Sequence, residues 1–489
     1  MKRSIFSLLV LGVAATAPLA AQSTTLAQPK RALTLAAALN LAEPASETLL
    51  LARAAELRAD GRYDQARATV LPTVNGFSTY TRIIETQFSR FFQPDTTGNS
   101  GGGLPFGQPN TWTFGLTASQ TLFNLGAIQG LRSVKATRSQ SRVDFSAQRA
   151  QIVLDVTRAY FDALLAERLL DIADSTLAQT ERTLANVTVG RDVGTQSEFD
   201  RLRTEVARDN QKPVVLQRRT QRIVAFARLA QLLGFPSREP LQLMTPLGEQ
   251  PTDALPAFAQ AVAERGDTTV DGRAPVRSAQ FALAAQDAAL KATEQQRLPK
   301  LTLSSTYQQY AYPTRTFPGN GDFVADWFVQ ARLDVPLFSG GTQRGNVRLA
   351  RATRDEAYAR LRTARETAER ERLDFDSQLE AAEALWDASR TSVVQARKAY
   401  AIAEVRFTEG ISTQTELADS RLQLQQSEAN RAQAARDLQI ARIRMLLLPE
   451  LPFDEAGAPP GPASSAQMTT TSTAPPTTGA TPPTQTGQP

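Results

Sequence analysis

The chain has 489 residues, with 54 Lys and Arg against 49 Asp and Glu, a net charge of +5. So small an excess on so long a chain gives no nucleic-acid footprint. The absence of cysteine and of histidine excludes disulfides, thiolate and imidazole metal sites, cysteine nucleophiles and Ser-His-Asp chemistry, so no cofactor is expected and an enzyme is disfavoured.

The N-terminus carries Lys2 and Arg3, then the mostly apolar Ile5 to Ala17, then Pro18-Leu19-Ala20-Ala21. This is the pattern of a secretory signal, assigned to residues 1–21, with Ala27 as a later cleavage option. No later stretch is apolar over the roughly 18 residues that a transmembrane helix needs. A first unit follows over residues 22–235. After a helical segment ending at Leu71-Pro72, a strand is expected at about 73–82, with Tyr80 near one rim. A loop from Ile83 to Asn110 carries Pro94, Gly101-Gly102-Gly103, Pro105 and Pro109. Its Phe88, Phe91 and Phe92 either pack that loop or fold over a barrel mouth.

A second strand at about 111–122 alternates with period two. Trp112, Phe114, Leu116, Ala118 and Leu122 fall on one face, and Thr111, Thr113, Gly115, Thr117, Ser119 and Thr121 on the other. A helical hairpin is then expected over about 127–233. Its first arm, Ala127 to Val189, amounts to about 95 Å of helix, with Val156, Ala163, Leu170, Leu177 and Leu184 repeating at heptad spacing. The turn falls at Val193-Gly194-Thr195, with Ser197 as N-cap and Asp200 three residues on. Pro213 lies inside the return arm and is expected to bend it. A mixed linker, 236–275, holds a short amphipathic helix near Ala257–Glu264.

A second unit, 276–453, repeats the order. Strands are expected at about 301–310 and 326–337, separated by a loop with Pro313, Pro318, Gly319 and Gly321. In the second strand Trp327, Val329, Ala331, Leu333, Val335 and Leu337 oppose Asp326, Gln330, Arg332 and Asp334, with Phe328 the exception. The intervals Trp112–Phe123 and Trp327–Phe338 are equal, and each projects to roughly 28 Å at about 40° tilt. That suits an aromatic at each rim of a membrane barrel, with Tyr307 also near the outer rim, although a soluble sheet alternates in the same way. The second hairpin, about 342–448, has a heptad seam of Phe375, Leu379, Ala382, Trp386, Ser389, Val393, Ala396, Tyr400, Ala403 and Phe407. Its turn is Gly410-Ile411-Ser412, and Thr413 with Glu416 fits a capping box. Residues 454–489 are rich in Pro and Thr, carry no charge after Glu455, and are expected to be disordered.

Short matches link the two units in the same order. Leu71-Pro72 with Tyr80 recurs as Leu298-Pro299 with Tyr307, Leu122-Phe123 with Gly126 as Leu337-Phe338 with Gly341, and Gly194, Ser197, Asp200 as Gly410, Thr413, Glu416. Such an ordered series indicates an internal duplication. Together with Leu232-Leu233-Gly234-Phe235-Pro236 and Val335-Pro336-Leu337-Phe338-Ser339-Gly340-Gly341, these motifs resemble the outer membrane efflux protein family of TolC-like exit ducts over roughly Leu33 to Leu451.

The resemblance implies a mixed α and β fold. Each protomer of a homotrimer gives four strands to one 12-stranded transmembrane β-barrel and its helices to a periplasmic coiled-coil tunnel, with residues 236–275 as an equatorial region. Elementary physics also favours assembly, because a four-stranded sheet has two unpaired edges that cannot face lipid. The resemblance further implies an outer-membrane location and partners in a periplasmic adaptor and an inner-membrane transporter, for drug efflux or type I secretion. Many relatives carry a lipidated N-terminal cysteine, which this chain lacks. Trp112, Phe114, Leu116, Trp327, Val329, Leu333 and Leu337 are expected to face lipid, and Thr113, Thr117, Gln330 and Arg332 the bore. Val193, Gly194, Thr195 and Ser197, with Gly410, Ile411, Ser412 and Thr413, are expected to form an adaptor-docking tip, unless they only make the turns. Glu416 and Asp419 match acidic positions that narrow the tunnel entrance in the family; the alternative roles are a capping carboxylate and a first-turn helix charge. The rival readings are a soluble periplasmic coiled-coil scaffold and a hydrolase using paired carboxylates. The cargo is not legible in the sequence.

Overall fold

The computed structural model describes residues 31–85, 110–248, 255–265, 269–313 and 315–454. The expected signal peptide, the loop residues Phe88, Phe91 and Phe92, and the expected tail beyond Asp454 lie outside the described residues. The chain begins with β1 (Arg31–Leu33), α1 (Leu35–Ala45) and α2 (Glu47–Ala68). It continues through β2 (Thr73–Arg82), β3 (Asn110–Phe123), α3 (Leu125–Asp192) and α4 (Glu198–Leu232). Then come β4 (Leu241–Leu243), α5 (Ala257–Arg265) and α6 (Ala274–Glu294). The last four elements are β5 (Lys300–Ala311), β6 (Phe323–Asp334), α7 (Thr342–Thr408) and α8 (Gln414–Leu447). The succession helix, strand, strand, long helix, return helix thus occurs twice.

β2, β3, β5 and β6 form one antiparallel sheet in that spatial order, so β2 and β6 are its free edges. The helices extend away from it. α3 has 68 residues and α7 has 67, each about 100 Å long. Such lengths hold only because each helix packs a neighbour along its course: α3 against α2, α4, α6 and α8, and α7 against α6 and α8. Among the described residues no helix is long and apolar enough to cross a membrane. Helix α4 runs through Pro213 without a break in its assignment.

The largest core lies midway along α3. Val156, Tyr160, Phe161 and Ala163 are fully buried there against Leu33, Leu35 and Ala38 near the N-terminus, Leu229 of α4, and Ile443 and Leu447 of α8. β1 pairs in parallel with β4. The Tyr160 hydroxyl locks that pairing, donating to the Leu33 carbonyl at 2.9 Å and accepting from the Thr245 amide at 3.2 Å. A buried tyrosine hydroxyl satisfied on both sides fixes register as well as packing. Lower down, the α7 seam closes on α8: Phe375, Ala382, Val393, Ala396, Tyr400 and Ala403 are buried, while Leu379, Trp386, Ser389 and Phe407 are half-buried.

Three strand expectations need correction. β6 ends at Asp334, so Leu337 is not a strand residue; it lies in the connection to α7 and is 91% exposed, as is Phe338. The cause is Pro336, which has no amide to give to a ladder and which restricts Val335. With β6 running from Phe323, Trp327 pairs with Tyr307, which pairs with Leu116. Trp327 and Tyr307 therefore stand mid-sheet, and the rim residue of β6 is Phe323, level with Ala311 and Trp112.

Candidate functional site

The register assigns the strand residues to faces, except at a bulge after Thr121, where Phe123 and not Leu122 pairs with Leu301. One face carries Val74, Tyr80, Trp112, Phe114, Leu116, Ala118, Leu303, Tyr307, Phe323, Trp327, Val329, Ala331 and Leu333 at matched rungs. Trp112, Phe114, Leu116, Trp327, Val329 and Leu333 are thus brought together. Trp327, Val329 and Leu333 are each more than 60% exposed in the single chain. An open apolar surface of that kind marks contact with lipid or with another protein.

The opposite face is hydroxyl-rich. Thr113, Thr117, Gln330 and Arg332 lie on it, with Thr79, Thr81, Ser119, Thr302 and Thr306. Cross-strand bonds knit it: Thr73 to Ser119 at 3.0 Å, Thr117 to Thr306 at 3.2 Å, and Gln308 to Asp326 at 3.4 Å. Phe77 lies across Gly115, where a Cβ would come within 2.5 Å of the ring. Only glycine leaves room for the ring to cover the backbone there.

Aromatics gather at the end of the sheet remote from the helices. Trp112 lies 4.7 Å from Tyr80 and 5.9 Å from Phe317 between ring centres, and Phe114 lies 5.8 Å from Phe323. The Trp112 indole donates to the Thr316 carbonyl at 2.9 Å, and Asn110 donates to the Arg315 carbonyl at 3.1 Å. The β5–β6 loop therefore straps over the first strand pair. Phe317 was not singled out in the sequence, because a loop aromatic has no periodicity to reveal its target.

At the other end of the molecule the two helix turns share one geometry. Gly194 has φ +81° and Gly410 φ +72°. The Thr195 amide donates to the Gly190 carbonyl and the Ile411 amide to the Arg406 carbonyl, both at 2.8 Å. These six-to-one bonds define a Schellman end, whose left-handed residue favours glycine. Ser197 then caps α4, accepting from the Asp200 amide at 3.1 Å, and Thr413 caps α8, accepting from the Glu416 amide at 3.4 Å. Val193 and Ile411 stand about 70% exposed at the two tips.

The two turns adjoin. Arg203 donates to Thr415 at 2.7 Å, and the Gln414 amide bonds Thr204. Arg421 of α8 is buried and reaches Thr180 at 3.1 Å and Thr183 at 2.8 Å on α3. Sequence reasoning passed over it, although the spacing of Leu417, Arg421 and Leu424 places a charged residue in a seam position. Glu416 and Asp419 are both exposed on one flank of α8. Glu416 lies 3.8 Å from Arg406, and Asp419 makes no ion pair among the described residues.

A half-apolar, half-hydroxylated sheet continued by paired helices of this length recurs in solved outer-membrane channels. The Campylobacter jejuni CmeC outer membrane channel superimposes with a TM-score of 0.70 at 17% identity, covering 86% of each chain. The open state of the Neisseria gonorrhoeae MtrE outer membrane channel gives 0.68 at 19% identity, covering 85% of this chain and 89% of that one. The family model described as outer membrane efflux protein matches residues 38–235 and 269–448, and the chain belongs to that family. Its place is accordingly the outer membrane. Among curated relatives, the solvent efflux pump outer membrane protein SrpC of Pseudomonas putida is 25% identical over 326 residues, covering 64% of this chain and 65% of that protein. Outer membrane protein OprJ of Pseudomonas aeruginosa is 25% identical over 282 residues, covering 56% of each. The aligned part thus spans about two-thirds or less of these relatives' length.

Proposed function

We propose that this chain is one of three identical protomers of a passive exit duct, receiving substrates from an inner-membrane transporter through a periplasmic adaptor and releasing them outside. The observation that carries the reading is the four-stranded sheet with one apolar face, one hydroxyl-rich face and two free edges. Edges cannot stay unpaired in lipid. Two copies would give eight strands, whose interior side chains fill; three give 12 strands around an open bore. The apolar face then meets lipid and the threonine face lines the passage. The recurrence of both strand pairs and both hairpins supports descent of residues 22–235 and 276–453 from one duplicated unit, behind a signal peptide over 1–21.

The adjoining turns at Gly194 and Gly410 form the adaptor-docking tip. Glu416 and Asp419, repeated three times about an axis, concentrate negative charge at the entrance and favour cations. No catalytic chemistry is assigned. The test has two parts. The protein is expected to stay in outer-membrane fractions through a carbonate wash and to cross-link as a trimer; release into the wash would instead mark a soluble periplasmic scaffold. The purified trimer in planar bilayers is expected to be cation-selective and blocked by trivalent metal ions from the periplasmic side. Glu416→Ala with Asp419→Ala should weaken both properties, and unchanged selectivity and block would place the constriction elsewhere.

A further inference from the structure

Where α3, α7 and α8 meet beneath the residues that follow β4, a cavity of about 380 Å³ opens to solvent. Among the described residues, Arg168, Arg390, Arg397 and Arg431 line it, against the single carboxylate of Glu428. Glu428 is already engaged by Arg397 at 2.7 Å. Arg168 and Arg390 make no ion pair among the described residues. Arg431, at the base, stacks on Trp386 with its guanidinium 3.9 Å from the ring centre. Its Nη1 is buried and has no acceptor among the described residues. Loss of hydration, followed by the charge on Arg390, pushes the Arg431 pKa below its ordinary range.

Such an arrangement is costly when empty. A buried donor without an acceptor forfeits its hydration, and neighbouring guanidiniums repel one another. Among the described residues the cavity offers no free acceptor that reaches several planar forks at once. Guanidinium groups bind carboxylate and phosphoryl oxygens in that bidentate manner, and a spherical halide cannot match it. The rest of the wall is apolar, formed by Leu247, Val393 and Val394. Gly248 closes in so that a Cβ there would touch Trp386 at 3.9 Å. The volume suits a small molecule.

We propose that this cavity is a binding site for a small organic oxyanion, its phosphoryl or carboxylate group held by Arg390 and Arg431 and its apolar body laid against Val393 and Val394. Every residue that lines the cavity belongs to one chain.

The test uses the full chain, assembled in detergent, and calorimetric titration with phenyl phosphate, inorganic phosphate and sodium chloride at matched ionic strength. Phenyl phosphate is expected to bind saturably, inorganic phosphate at least tenfold more weakly, and chloride not at all. Arg390→Gln, a change at the exposed rim, should weaken phenyl phosphate at least tenfold, and adding Arg431→Gln should abolish binding. Phenyl phosphate should also change tryptophan fluorescence in the wild type and leave Trp386→Phe silent, although Trp112 and Trp327 remain. With no anion present, Arg390→Gln should raise the melting temperature by relieving repulsion. Equal heats from chloride and phosphate, or full binding by Arg390→Gln, would overturn the site. Equal affinity for the two phosphates would overturn the apolar wall.

Discussion

The two hairpin tips share a turn and differ in the helix face that follows it. Both use a left-handed glycine, a six-to-one backbone bond of 2.8 Å and a hydroxyl N-cap. After the first tip, α4 exposes Phe199, Leu202 and Val206, spaced three and four residues apart like a coiled-coil seam. Arg201 bridges Glu198 and Glu205 beside that stripe. After the second tip, α8 exposes Glu416 and Asp419, and turns Gln414, Arg421 and Leu417 inward. The glycine fixes how the chain reverses; the flanking helix face decides what the tip presents. An apolar stripe calls for a packing partner, whereas exposed acids suit an aqueous passage.

The strand pairs offer the largest test of how alike the halves are. Leu116 stands at the centre of the sheet, level with Tyr307 and Trp327, whereas Leu333 pairs with Leu301 at the helical end. If this face meets lipid, Leu116→Arg costs about 2–4 kcal/mol and Leu333→Arg about 0–1 kcal/mol, because the penalty falls toward the interface. Thr117→Arg, on the other face, should cost far less than Leu116→Arg. Urea unfolding of the assembled protein in detergent or lipid measures all three, and equal costs at Leu116 and Thr117 would sink the facial assignment.

At the turns the halves should respond alike. A Cβ at Gly194 or Gly410 meets nothing within 4 Å, so space is no obstacle. The positive φ is, and valine at either site should cost about 1–2 kcal/mol, read from the helical circular-dichroism signal in denaturant. Export should fail with assembly preserved if both turns touch the adaptor. A loss confined to one variant would show that only one tip docks. The caps should separate the halves. Ser197→Ala is expected to cost about 1 kcal/mol, since its hydroxyl accepts from the Asp200 amide at 3.1 Å and also lies 2.6 Å from the Asp200 carboxylate. Thr413→Ala should cost less, its bond to the Glu416 amide being 3.4 Å. The reverse order would mean that the second cap carries load beyond its own helix.

Most of this architecture was legible because it is periodic. The α7 seam from Phe375 to Phe407 announces its packed side directly, and the alternation from Thr111 to Leu122 its apolar face. Ser197 and Thr413 are readable as caps, since a short hydroxyl side chain just before a helix is a preferred N-cap. Legibility failed where one local rule overrode a pattern or where contacts are distant in sequence. Pro336 ended β6 early and removed Leu337 from the strand, while the start of β6 at Phe323 puts Trp327 mid-sheet. The bond of Arg421 to Thr180 and Thr183, and the strap of Phe317 over Trp112, join segments some 200 residues or more apart, beyond any spacing rule. The ion pair of Arg406 with Glu416 spans the turn itself, and it alters what the acidic pair can do.

That pair sets the smallest stability effect and the sharpest contrast between the tips. Glu416 and Arg406 are 3.8 Å apart with each side chain nearly half exposed, so solvent screens the attraction and Glu416→Ala should change stability by no more than about 0.5 kcal/mol. A carboxylate held against a guanidinium contributes less negative potential to an aqueous entrance than a free one. Asp419, without an ion pair among the described residues, should therefore dominate cation selectivity. Single-channel reversal potentials in a salt gradient are expected to shift more for Asp419→Ala than for Glu416→Ala. Arg406→Gln should strengthen cation selectivity by freeing Glu416. The matching substitution at the first tip, Asp200→Ala, should leave the reversal potential unchanged, because that carboxylate is bound to the Ser197 cap. If Asp200→Ala shifts it as much as Asp419→Ala does, charge at both tips lines the passage and the division between a packing tip and a conducting tip is wrong.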